Sequence, residues 1–126
     1  MLEINLILER PAVAAACRLF GQVYDDAFYV YRAENRGLVL ATALFEIGKT
    51  DVCVTGYEGP GDDPFLFDGI LRAGLHYAEM QGIETGVLPE KFRQLHRALF
   101  IELNYPSEVS FNIVNFFGKY KNCSRL

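Results

Sequence analysis

Residues 59–82 read GPGDDPFLFDGILRAGLHYAEMQG, and the rest of the chain is organised around them. Asp63-Pro64 is a helix start. The carboxylate can accept from the first free N–H groups, and proline's fixed φ suits the first helical position. Beyond it Asp68, Arg72, His76 and Glu79 follow at spacings of four, four and three. They form one narrow polar stripe on a helix otherwise built of residues such as Phe67, Ile70, Leu71, Leu75 and Tyr77, the pattern of a helix packed on more than one side.

Upstream, Leu2, Ile4, Leu6 and Leu8 occupy alternate positions and predict a first strand with a strongly apolar face. Pro11 opens AVAAACRLF, a short helix ending near Gly21. Residues 27–33 (AFYVYRA) are aromatic and β-branched and read as a second strand. Glu34-Asn35-Arg36-Gly37 is a turn. Residues 38–47 (LVLATALFEI) are apolar on both alternating faces, which predicts a central strand covered on both sides. Gly48-Lys49 turns the chain into residues 51–57 (DVCVTGY), so three strands form an antiparallel meander.

Downstream, residues 83–88 predict a short strand, and Pro89-Glu90 starts a second helix carrying Phe92, Leu95, His96, Leu99 and Leu103 at helical spacing. Asn104-Tyr105-Pro106 ends it. Residues 109–117 (VSFNIVNFF) read as a last strand. The expected order is β-α-β-β-β-α-β-α-β, a single-domain α/β fold over residues 1–126 with a mixed, mostly antiparallel sheet and helices on both faces.

The totals limit the function classes. With 126 residues, 51% apolar and 22% charged, the chain is long enough for one sizeable core. A net charge of −4 without a dense Lys/Arg cluster argues against nucleic acid as a main partner. The tail is only mildly basic, through Lys119, Lys121 and Arg125, and reads as a solvated end. No apolar run approaches the roughly 20 residues that span a bilayer, so no membrane partner is expected. The N-terminal residues do not resemble a secretory signal, and the three cysteines (Cys17, Cys53, Cys123) are too widely spaced for a disulfide framework or a zinc site. The expectation is a cytoplasmic protein without a metal.

Within the central helix, Ile70-Leu71, Ala73, Ala78 and Gly82 stand at set intervals, followed by Ile83 opening a strand. Farther on stands ALFIELNY (residues 98–105). In these segments and in its element order, the chain resembles the GNAT superfamily of acyl-CoA-dependent N-acetyltransferases. The resemblance implies an acetyl transfer from acetyl-CoA to a small-molecule amine. It also implies a loop ahead of the central helix that grips the pyrophosphate, with glycines letting N–H groups approach closely. In the register set by the helix, the basic or amide position of that loop is Asp62, and the small positions are Phe65 and Phe67. In a shifted register Gly59 and Gly61 supply the small residues. The implied cofactor-binding residues are therefore Gly59, Gly61, Asp62 and Asp63.

A general base in this family is often a carboxylate on the meander, and Glu58 and Glu46 are the acids near strand ends. The family's thiolate-protonating tyrosine falls at Phe100, which has no proton to give. Tyr105 reads as a packing residue with a satisfied hydroxyl, and His96 as a satisfied histidine on an apolar face.

Two functional readings follow. One is an acetyltransferase using acetyl-CoA, with Glu58 or Glu46 as base. The other is a GNAT-fold binding or interaction module that no longer holds CoA, favoured by Asp62, Phe65, Phe67 and Phe100. Apolar residues on both faces of 109–117 would make an exposed sheet edge that needs cover, so a homodimer through the C-terminal strand is expected, the alternative being that the C-terminal tail folds over it.

Overall fold

The computed structural model describes the backbone of residues 1–124 and the side chains of residues 1–118. The basic side chains expected of the tail, Lys119, Lys121 and Arg125, and Cys123 lie outside those described.

Six strands form one sheet in sequence order: β1 (Leu2–Ile7), β2 (Phe28–Asn35), β3 (Leu38–Ile47), β4 (Asp51–Glu58), β5 (Thr85–Val87) and β6 (Ser110–Asn112). All neighbours are antiparallel except β4 and β5, which run parallel. A parallel pair needs a crossover, and the central helix α2 (Pro64–Met80) supplies it. The β2–β3 turn has Arg36 at φ 53° and Gly37 at φ 81°, both left-handed, as a tight two-residue hairpin requires.

The two sheet faces carry different helices. α1 (Arg10–Leu19) packs Val13, Ala16 and Cys17 against Phe28, Val30 and Leu44 on one face. α2 packs Phe67, Ile70, Leu71, Leu75 and Ala78 against Tyr29, Ala43, Phe45, Val52 and Val54 on the other. Each fully buried Leu, Ile or Phe of this kind stabilises the fold by about 1.5–3 kcal/mol. Covering on both faces holds for residues 41–45 of β3, as its composition predicts; Leu38, Val39 and Leu40 are exposed.

α2 lies very close to the sheet because Gly74 has no side chain. A Cβ there would collide with the Phe45 ring, and the Tyr29 hydroxyl donates to the Gly74 carbonyl at 2.6 Å. Asp63 caps the helix by accepting from the Leu66 N–H at 3.1 Å. At the other end Gly82 (φ 91°) completes a Schellman turn, with Gly82 N–H donating to Glu79 O and Ile83 N–H to Ala78 O.

The polar stripe of α2 is not a plain solvated face. Asp68 and Arg72 pair at 2.7 Å, Tyr105 donates to Asp68, and Arg72 stands over the Phe116 ring at 5.4 Å. Tyr105 is thus a packing residue with a satisfied hydroxyl, as expected.

Two expectations change. The second long helix is two short ones, α3 (Glu90–Leu95) and α4 (Arg97–Leu103), broken at His96, whose φ of −111° and ψ of 31° are not helical. The last strand is only β6; residues from Ile113 onward form α5 (Ile113–Ser124). Asn112 turns the chain by accepting from the Asn115 N–H at 2.9 Å, an N-cap bond inside what reads as a strand. Buried Ile113 and Phe116 then recur at helical spacing. The strand edge on which the homodimer expectation rested is therefore three residues long.

Candidate functional site

β4 and β5 pair only from Asp51 opposite Thr85 to Cys53 opposite Val87. Beyond Cys53 the β3–β4 register shifts so that Thr55 bulges, and β4 runs on to Glu58 while the other chain turns away at Pro89 into α3. A bulge bends its strand and adds twist, so the two strands part. Between them opens a cleft of about 360 Å³. Its walls include Phe20 beyond the end of α1, Glu46 of β3, Cys53 and Tyr57 of β4, and Phe92 and His96 beside α3. Gly56 makes room for Phe20, since a Cβ there would strike its ring.

Two side chains that line this cleft each carry a buried polar atom, Tyr57 Oη and His96 Nε2, with no hydrogen-bond partner among the described residues. Their rings meet edge to face at 5.5 Å between centroids. A buried polar group left unpaired costs about 1–3 kcal/mol, and native folds rarely retain one without a reason.

Burial pushes the Tyr57 phenol up to about 12, with the Asp63 charge adding to it. Burial lowers the His96 imidazole from its ordinary 6.5, and the ring sits against Phe92 (4.7 Å) and Phe67 (5.6 Å). At neutral pH His96 is therefore an uncharged proton acceptor, and Tyr57 keeps its proton as a donor. Burial likewise raises the Cys53 thiol, which favours its protonated form.

The residues expected to hold a cofactor lie together on the turn before α2, next to this cleft. Gly59 is set by packing: a Cβ would stand 2.5 Å from Tyr57 Oη and 2.8 Å from Ala41 Cβ. The same contact brings the Tyr57 hydroxyl to the backbone of the turn. Gly61 faces open space, Asp62 is exposed, and Asp63 holds the Leu66 N–H. Among the described residues, the N–H groups of Gly61, Asp62 and Phe65 have no partner. Two carboxylates flank these N–H groups, and Phe65 projects into solvent with 87% exposure. The terminus offers donors to a phosphate but surrounds them with negative charge, a poor fit for a diphosphate.

Of the two carboxylates expected as bases, Glu46 is half-buried in the cleft wall and Glu58 is exposed at the end of β4, outside that wall. Phe100 is buried against Phe67, Phe92 and Tyr105. His96 lies on an apolar surface as expected, but it is not satisfied. Sequence reasoning missed Tyr57 and His96 as a pair. The usable signal was the adjacency of Tyr57 to Glu58 at the end of a central strand.

Compared with known proteins, the sequence matches no protein-family model and no curated protein. Its fold matches many solved structures. The ribosomal-protein-S18-alanine N-acetyltransferase of Escherichia coli aligns with a TM-score of 0.58 at 14% identity, over 82% of this chain and 76% of that one. An N-acetyltransferase from Staphylococcus aureus aligns at 0.59 and 11% identity, over 90% and 99%. A predicted acetyltransferase with acetyl-CoA from Clostridium acetobutylicum aligns at 0.59 and 11%, over 86% and 92%. The chain has the fold of the GNAT N-acetyltransferases, and at these identities the likeness is one of architecture. Among the described residues no helix is long and apolar enough to cross a membrane.

Proposed function

We propose that this protein transfers an acetyl group from acetyl-CoA to an amine, with the chemistry in the cleft where β4 and β5 part. The observation that carries this reading is the pair of buried polar atoms without a partner among the described residues, Tyr57 Oη and His96 Nε2, on two side chains that line one cavity. Around them the walls combine apolar Phe20, Pro89, Phe92 and Leu95 with polar Gln22, Glu46, Thr55 and Lys91.

Acetyl-CoA, when bound, supplies an activated acyl thioester. The protein's part is positional and acid–base. The half-buried Glu46 carboxylate draws a cationic amine into the cleft. Neutral His96 takes the proton from that amine at Nε2 and leaves nitrogen its lone pair. Tyr57 O–H donates a hydrogen bond where negative charge develops, the task Phe100 cannot perform. Phe20 and Phe92 keep water from the reacting atoms.

The test is calorimetric titration with acetyl-CoA, followed by thiol release in the presence of a panel of amines. Micromolar to submillimolar binding and amine-dependent release are expected. His96→Gln is expected to lower kcat by about a hundredfold or more. It should also remove the acid limb of the pH–rate profile, which lies below the ordinary imidazole value of 6.5 because burial depresses His96. Absence of binding at millimolar acetyl-CoA overturns the proposal.

One observation favours a second reading, a GNAT-fold binding module without CoA. The α2 terminus is capped by its own Asp63 carboxylate and flanked by Asp62. Under that reading the cleft holds a small ligand but acetyl-CoA does not bind.

A further inference from the structure

A second cavity, of about 450 Å³, lies along one face of α3 and α4 and under the loop that follows them. Its wall carries Arg93 of α3 and Arg97 of α4, one on each side of the break at His96, with Gln94 beside Arg93 and Asn104 at the far end. Phe100 and Tyr105 form an aromatic floor, both largely buried.

The polar groups here are arranged and under-used. Glu90 accepts from Arg93 Nη1 at 3.0 Å through one oxygen and from Gln94 Nε2 at 3.3 Å through the other, which fixes both side chains. Arg93 Nε is buried and has no partner, and Arg97 makes no ion pair or side-chain hydrogen bond among the described residues. In the wall two guanidiniums face one carboxylate, leaving a positive excess on a chain whose net charge is −4.

The cavity adjoins the first turns of α2. The rings of Phe100 and Tyr105 both lie tilted beside Phe67, at 6.1 and 6.2 Å between centroids, and Tyr105 donates to Asp68. The floor of the cavity is thus shared with α2, the helix whose N-terminal donors are hemmed by Asp62 and Asp63.

We propose that this cavity is a phosphate-binding site, and that Arg93 and Arg97 take the phosphates of the nucleotide-bearing acyl donor in place of the acid-flanked N-terminus of α2. The assignment of donor rests on the acetyl-transfer reading; the assignment of phosphate chemistry does not. Planar guanidiniums suit phosphate oxygens because two parallel N–H donors meet two acceptors.

The experiment is titration of the full chain with inorganic pyrophosphate, with CoA and with pantetheine, which lacks the nucleotide and its phosphates. It is run on the wild type, Arg97→Gln, Arg93→Gln and Asp62→Asn. Arg97 is exposed, so its variant keeps the fold even if the Arg93 variant does not. Expected are wild-type binding of pyrophosphate and CoA, each weakened about tenfold or more in Arg97→Gln. Pantetheine binding is expected to be unchanged in that variant.

Pyrophosphate that does not bind, or binds Arg97→Gln as well as the wild type, overturns the proposal. So does a large gain of affinity in Asp62→Asn without any loss in the arginine variants, which would put the phosphate at the α2 terminus. If pyrophosphate binds through Arg97 but neither CoA nor pantetheine binds, the phosphate site stands and the acetyl-transfer reading fails.

Discussion

Tyr57 illustrates how one side chain can serve a site at a cost to the fold. Its ring is buried against Phe67 at 4.7 Å, while its hydroxyl has no partner among the described residues. Removing that hydroxyl removes an unsatisfied group and leaves the packing ring. Tyr57→Phe is therefore expected to leave stability unchanged or raise it by about 1 kcal/mol, while weakening ligand binding in the cleft. Thermal denaturation with and without acetyl-CoA reads both effects. A clear loss of stability would show that the hydroxyl has a partner after all. Gly74 is the opposite case, a residue whose absence of side chain is wholly structural. Gly74→Ala drives a Cβ into the Phe45 ring and should destabilise by about 1–3 kcal/mol, visible as a lower midpoint in urea.

Among the elements, α2 was legible from its start to its end. Asp63-Pro64 marks a cap with a mechanism, and Gly82 marks a stop with one. Asp63→Ala should cost about 1 kcal/mol by releasing the Leu66 N–H, whereas Asp63→Asn should cost much less because an amide oxygen still accepts. Equal losses in the two, measured by denaturation, would mean that the charge rather than the cap matters.

The elements that misled share a cause. In 109–117 every second residue and every third or fourth residue is apolar enough to fit either period, and the choice was made by Asn112, whose side chain caps a helix. In residues 90–103 the helical period is right, yet the break at His96 comes with neither Gly nor Pro to announce it. The same break sets the imidazole among Tyr57, Phe67 and Phe92. The cleft thus depends on an irregularity that local sequence does not encode, and the sequence singled out Glu46, which lies in its wall, but neither Tyr57 nor His96.

At the scale of the whole molecule, the half-buried imidazole of His96 couples stability to pH. His96 is held below its ordinary 6.5 by burial, so the unfolded chain takes up this proton before the folded one does. Its contribution is complete above 6.5 and is lost as pH falls through the depressed folded value. Unfolding free energy measured across the weakly acidic range should decline, and His96→Gln should flatten that decline. A wild-type profile as flat as the variant's would contradict the burial of the ring.

The brevity of the β4–β5 join has a consequence for how the chain folds. The meander β1–β4 is built from neighbours in sequence, while its only ladder to the rest of the sheet is three parallel pairs closed across the whole of α2. Local contacts close early, and the entropy of long-range closure is repaid only when α2 has docked. The meander should form first, with β5, β6 and the final helices condensing onto it in a later step. Amides of Thr85, Gly86 and Val87 should then gain protection from solvent exchange after those of β2 and β3 during refolding.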